Sequence, residues 1–187
     1  MKRIFLYTTL LFLACEQKEK VKNDLTKLNE EGNNFALDSM YQEDQNARKV
    51  EEIDWNNLQK ADEQRRETVV LMKQEGLIKT AKDHYYAAMI YQHGNDSEDY
   101  KFAKEYMEEA IALDTTMNKW LLAAATDRYL LSIDQPQIYG TQYMKMGDEP
   151  WELSNYDTTA VTDEERIRMG VPVLAKQKEQ LAEMNQE

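Results

Sequence analysis

Hydrophobic and polar positions divide the chain into three stretches of different character. Ile4 to Ala14 form one predominantly apolar run, preceded by Lys2 and Arg3. From residue 16 to about 36 charge and Asn dominate and apolar residues are few. From Leu37 onward apolar residues recur every three or four positions, the period of a helix with one buried face.

The helical period predicts a series of elements. The first runs from Leu37 to about Glu52, with Asp38 or Ser39 as its cap. Trp55 and Leu58 read as a turn, and Ala61 to Glu75 as a second helix stopped by Gly76. Thr80 opens a third helix ending at His93, where Gly94-Asn95-Asp96 breaks the pattern. Asp96 or Ser97 caps a fourth through Leu113, and Met117 to Ile133 is a fifth, strongly apolar one. Asp134 to Ala160 keeps no helical period and reads as a long loop, with a short β-hairpin around Gly147-Asp148. Loops of this length in small domains are often functional. Thr162 to Glu165 is a capping box for a short helix to Met169, and Pro172 sits in the first turn of a last helix to about Met184. The expected fold is mainly α: a compact helical bundle with one long irregular loop, occupying residues 37–187.

The apolar run changes the picture for the rest of the chain. A basic start and an h-region of about eleven residues suit a signal peptide and are too short to span a bilayer. The only cysteine, Cys15, closes the run, so it has no intrachain disulfide partner. A small residue before a lone cysteine resembles the lipobox of bacterial lipoproteins, although Phe12 and Leu13 fill the places where that motif prefers Leu and a small residue. The resemblance implies residues 1–14 as a signal peptide, lipid on Cys15, and a membrane as partner. An ordinary cleaved signal peptide and an uncleaved anchor are the alternatives. Residues 15–36 then form a lipidated cysteine and a disordered tether, with at most transient helix from Val21 to Glu31, because so few apolar groups cannot offset the entropy of ordering. The expected place is the bacterial cell envelope, facing the periplasm or the outside.

Charge narrows the partners. The chain has 23 basic and 35 acidic residues, and loss of Lys2 and Arg3 would take the net charge from −12 to −14. Mean hydropathy is −0.79. Such a surface repels nucleic acid and anionic lipid heads, so no nucleic-acid partner is expected.

Thr80 to Leu113 resembles a tetratricopeptide hairpin: Ala88 and Tyr91, then Ala103, Met107 and Ala110, take its small and aromatic positions. The turn is about three residues too long, Thr115 stands at the usual Pro, and no further copy is evident. An antiparallel helix pair with a tight crossing is the alternative.

Several polar residues stand apart from the solvated charge. Asp44-Gln45-x-x-Arg48 places Asp44 and Arg48 one turn apart. Gln92-His93 ends the third helix, and Asp127-Arg128 interrupts the apolar fifth. A charged pair there is costly unless partnered. Gln137-Ile-Tyr139-Gly140-Thr141-Gln142 opens the loop. Together these motifs resemble a family of uncharacterised bacterial proteins known only as a domain of unknown function, over residues 40 to 180. Val161 to Arg166 and Gly170 to Leu174 match that family's closing segment more loosely, and Leu77-Ile78 replaces its aromatic. The resemblance implies a site, not a reaction.

Asp44, Arg48, Asp127 and Arg128 are expected in one ion network, with His93 as a group able to titrate and Gly140 letting the loop come close. Three readings follow: a structural network locking loop to bundle, a ligand site, or a catalytic site in which His93 works with Asp44 or Asp127 as a hydrolase. They correspond to a structural envelope protein, a module binding a small polar ligand or an envelope protein, and an enzyme. Metal is not expected, because His84 and His93 are the only histidines and do not share a helix face. No cofactor motif is present. Most tyrosines fall at core spacing, with Tyr85, Tyr86 and Tyr91 as an alternative groove lining.

Overall fold

A computed structural model describes residues 25–153 and 155–186. The expected signal segment, Cys15 and the first part of the tether lie outside them. The described chain is mainly helical: α1 (Phe35–Ala47), α2 (Trp55–Gln74), α3 (Ala81–Gln92), α4 (Ser97–Leu113), α5 (Trp120–Ser132), α6 (Asp163–Arg168) and α7 (Leu174–Met184). No helix among the described residues is long and apolar enough to cross a membrane.

Helix α3 is the centre of the bundle and contacts α1, α2, α4 and α5. Its start is fixed by a capping box, in which the Thr80 hydroxyl accepts from the Asp83 N–H and the Asp83 carboxylate accepts from the Thr80 N–H. Ala87, Ala88, Ile90 and Tyr91 are buried, as are Ala103, Met107 and Ala110 on α4. The alanines let the two backbones approach, while Tyr91 stacks on Tyr106 at 5.7 Å and tilts against Phe102 at 5.3 Å. Leu37, Val69, Met72 and Leu121 close the core from α1, α2 and α5. Burying each such aliphatic side chain contributes roughly 1.5–3 kcal/mol. The tyrosines belong mainly to this packing: Tyr86 and Tyr91 are buried and the partly buried Tyr85 meets Tyr41 edge-on, while Tyr91 also borders a shallow cleft with Phe102 and Val70.

Several boundaries differ from expectation, each for a local reason. Helix α1 begins at Phe35 because Asn34, not Asp38 or Ser39, caps it by accepting from the Leu37 N–H. It stops at Ala47 rather than near Glu52, because the following segment has little to bury and Val50 is exposed. Helix α2 starts at Trp55, six residues before Ala61. Asp54 caps it, and only Leu58 in its first turns is buried, which hid the turn from a hydrophobic pattern. Helix α5 starts at Trp120 because Asp114 and Asn118 hold Thr116 and the Trp120 N–H in turns. Pro172 lies before the cap of α7 rather than inside its first turn.

The folded unit also reaches further toward the N-terminus than the expected boundary at 37. Residues 25–34, read as tether, pack on the bundle. Asn33 and Asn34 are buried. The Asn34 N–H donates to the Asp83 carboxylate at 2.8 Å, its side-chain amide donates to the Leu25 carbonyl at 2.7 Å, and the Thr80 hydroxyl donates to Asn33 at 2.8 Å. Composition counts apolar groups and so misses a segment held by amide side chains.

Between Ser132 and Asp163 the described chain has no helix. One antiparallel bridge, Met144 with Glu152, closes a short turn through Gly147, and one parallel bridge joins Gln137 to Tyr156. The loop packs on α5 where Ala123, Met169, Val171 and Tyr139 form a second small core.

Candidate functional site

The loop is held to the bundle by one carboxylate. Asp127, inside α5, is fully buried. One of its oxygens accepts from the Ile138 and Tyr139 N–H groups at 2.9 Å each, the other from the Thr141 N–H at 2.9 Å and hydroxyl at 2.8 Å. Four donors converge on a group whose burial would otherwise be prohibitive. Gln137 closes the same turn: its side chain accepts from the Gln142 N–H and donates to the Gln142 carbonyl, both at 3.0 Å.

The far side of the loop is fastened as firmly. At Gly140 the backbone takes φ +77°, and a Cβ there would lie 2.4 Å from Gln177 Oε1 and 2.7 Å from the Tyr156 ring. The buried Gln177 of α7 donates to the Tyr139 carbonyl at 2.7 Å, and Tyr156 donates to Gln177 Oε1 at 2.9 Å. Arg166, also buried, donates to the Tyr156 hydroxyl and to the Val161 and Thr158 carbonyls.

A second network surrounds Asp44 on α1, which is likewise fully buried. It accepts from Arg48 at 2.7 Å and Gln45 at 2.8 Å, and His93 Nδ1 lies 2.9 Å away. Burial pushes this carboxyl up. The hydrogen bond and charge of His93 oppose it, aided by Arg48 and Gln45, and hold it below the usual aspartate range. Arg48 also donates to Asp62 on α2 at 2.6 Å, and Arg65 donates to Asp62 at 2.9 Å. Arg66 donates to the His93 carbonyl at 3.4 Å and pairs with Asp99 at 3.3 Å. Asp62, Arg65, Arg66 and Asp99 were not singled out in the sequence, where they sit among ordinary charged helix positions. The i,i+3 spacing of Asp62 and Arg65 is the one sign that was available.

The expected single ion network is therefore divided. Asp127 faces the loop backbone, and among the described residues it pairs with neither arginine nor with His93. Arg128 points elsewhere from its neighbour. Its Nε donates to Gln142 Oε1 at 2.9 Å and one terminal nitrogen to the Gln92 carbonyl at 2.7 Å, while its guanidinium lies 5.9 Å from the Tyr100 ring centre. Among the described residues no carboxylate is within ion-pair distance of it. Burial pushes the guanidinium below the ordinary arginine value, Tyr100 opposes this, and the nearby charge of Arg48 adds to it.

Arg128 and Asn95 separate two open clefts. One, of about 510 Å³, is lined by Arg48, His93, Asp62, Trp55 and Gln59 among others. The other, of about 600 Å³, is lined by Tyr100, Ser97, Ser132, Gln142 and Tyr143 among others. His93 uses Nδ1 toward Asp44, and among the described residues no partner occupies Nε2. Gln92 is buried and its side-chain oxygen lacks a hydrogen bond. No group of three His, Cys, Asp or Glu among the described residues is placed to hold a metal ion. Comparison of the chain with protein-family models, curated proteins and solved structures gave no match.

Proposed function

We propose that this domain is a binding module whose ligand carries an anionic group, received by Arg128 with Arg48 and His93. The observation that supports it is Arg128: a largely buried guanidinium without a carboxylate partner among the described residues, in a wall shared by two clefts. Arg48 in the same wall repels Arg128, and an anion at Arg128 would relieve that repulsion; the charge of Arg48 itself is offset by Asp44 and Asp62. The two carboxylates that face the clefts are already engaged. Asp62 binds Arg48 and Arg65, and Asp96 caps α4 by accepting from the Glu98 and Asp99 N–H groups. With lipid on Cys15 the module would be a membrane-tethered lipoprotein of the bacterial cell envelope.

The test is calorimetric titration of the folded protein with glucuronate and with inorganic phosphate at low salt. Wild type binds at least one of them in the millimolar range and Arg128→Gln does not, while circular dichroism shows both folded. Equal affinities in the two proteins would sink the reading. Mass spectrometry of the mature N-terminus tests the anchor: a chain starting beyond Cys15 without lipid would exclude it.

A second reading, a hydrolase-like enzyme, is favoured by one observation. His93 is oriented by the buried Asp44 and borders a cleft, the arrangement of a general base. It predicts turnover of p-nitrophenyl esters or phosphodiesters that His93→Gln abolishes. Rates equal to buffer in wild type would remove it. A purely structural envelope protein needs no clefts, and the two beside Arg128 count against it.

A further inference from the structure

We infer that the ligand is an acidic oligosaccharide lying across both clefts, with one uronate carboxylate on Arg128 and neighbouring sugar units on either side. This rests on the anion-binding reading above and adds length and chemical class to it.

Arg128 is placed for an extended ligand. It and Asn95 line both clefts, so a charged group docked there has open volume on two sides, about 510 and 600 Å³. A simple anion would use neither. The walls of the clefts offer what a sugar uses. In one cleft Trp55 stands 69% exposed at the first turn of α2, beside the exposed side-chain amide of Gln59. In the other, the Tyr100 and Tyr143 rings lie among Ser97, Ser132 and Gln142. Among the described residues, the side-chain amides of Asn95 and Gln59 make no hydrogen bond. Sugars present C–H faces that cover aromatic rings and hydroxyl edges that exchange hydrogen bonds with amides and hydroxyls. One exposed indole, two half-buried tyrosine rings and the two uncommitted amides fit that pattern. An extended peptide would look for a free strand edge for its backbone. The cleft walls combine helix side chains with the Gln142–Met144 loop, and there the Met144 N–H and carbonyl are already taken by Glu152.

The probes are glucuronate, tetragalacturonate, the neutral tetrasaccharide maltotetraose, and an acidic tetrapeptide of alternating Asp and Gly. Two surface variants leave the core intact: Trp55→Ala removes the aromatic wall of one cleft, and Ser132→Trp fills the other. The expected result is that tetragalacturonate binds at least tenfold tighter than glucuronate and that maltotetraose does not bind. Each variant weakens tetragalacturonate about three- to tenfold, the effect of one aromatic contact, and leaves glucuronate within about twofold. If glucuronate binds through Arg128 but tetragalacturonate binds no tighter, the spanning ligand is refuted and the anion site stands. Tighter binding of the tetrapeptide than of tetragalacturonate refutes the class. Absence of binding by every anionic probe refutes both readings.

Discussion

Replacing Asp127 tests how the loop is held. Asp127→Ala removes a fully buried carboxylate that accepts four hydrogen bonds, three of them from backbone N–H groups of the loop. A hydrogen bond to a charged acceptor contributes about 1.5–3 kcal/mol, and a stranded buried donor costs about 1–3 kcal/mol. Four such bonds do not add, because the loop would lift and its N–H groups would find water. A net loss of about 3–5 kcal/mol is expected, the range found when one partner of a buried charged set is removed. Asp127→Asn separates charge and acceptor count from size. One oxygen survives and two of the four donors then face an amide NH₂, so about half of that loss should remain. Urea unfolding followed by far-ultraviolet circular dichroism gives both values. Hydrogen exchange should show the amides of Ile138, Tyr139 and Thr141 losing protection while α3 and α4 keep theirs. An Asp127→Asn protein within about 0.5 kcal/mol of wild type, the scatter of neutral surface changes, would refute the anchor.

Three further outcomes follow from the same geometry. Asp44 has a depressed folded pKa, so its contribution is present above the unfolded value near 3.8 and lost as pH falls through the lower folded value. The urea midpoint should therefore drop below pH 4 more steeply in wild type than in Asp44→Asn; parallel curves would contradict this. Gly140→Ala meets both a positive φ and a Cβ contact of 2.4 Å with Gln177, so thermal unfolding should show a loss of about 2–4 kcal/mol. A chain beginning at residue 25 should be more stable in urea than one beginning at 37, because Asn34 caps α1 and bonds Asp83; equal midpoints would return residues 25–34 to the tether.

The sequence made the centre of the fold legible because several signals agreed there. For α3 and α4, the apolar period, the caps Thr80 and Asp96 and the Gly94 break all mark the same boundaries. The hydrophobic pattern shortens α2, because only one of its first six residues, Trp-Asn-Asn-Leu-Gln-Lys, is buried. The stretch from 25 to 34 escapes the same pattern, because it is ordered by asparagine hydrogen bonds, which no hydrophobic count sees. In the polar cluster, Asp44, Arg48 and His93 stood out as short motifs, whereas their partners Asp62 and Arg65 sit on a helix whose charged face looks like any solvated one. Partner choice was the least legible feature. Asp127 and Arg128 are adjacent in sequence, yet one turns to the loop backbone and the other to the clefts, since neighbours on a helix point about 100° apart.

That division bears on which residue can act on a ligand. A carboxylate has about four acceptor positions. At Asp127 all are filled by the loop, so it has nothing left to offer a reacting group. At Asp44 three are taken by Gln45, Arg48 and His93, and Arg65 lies 3.8 Å from the same oxygen as Arg48. Both aspartates are also shut off from solvent. Of the two pairings weighed for a histidine mechanism, the geometry supports only His93 with Asp44, and there the aspartate orients the ring rather than meeting a substrate. Among the described residues, groups with open capacity toward the clefts include Nε2 of His93, the guanidinium of Arg128, the amides of Asn95 and Gln59, the hydroxyls of Ser97 and Tyr143 and the Trp55 indole N–H. Apart from His93, these groups can offer a ligand only hydrogen bonds or charge, and His93 alone is oriented by a buried carboxylate. This balance favours the proposed binding role, with the Asp44–His93 pair as the one arrangement that the hydrolase reading could use.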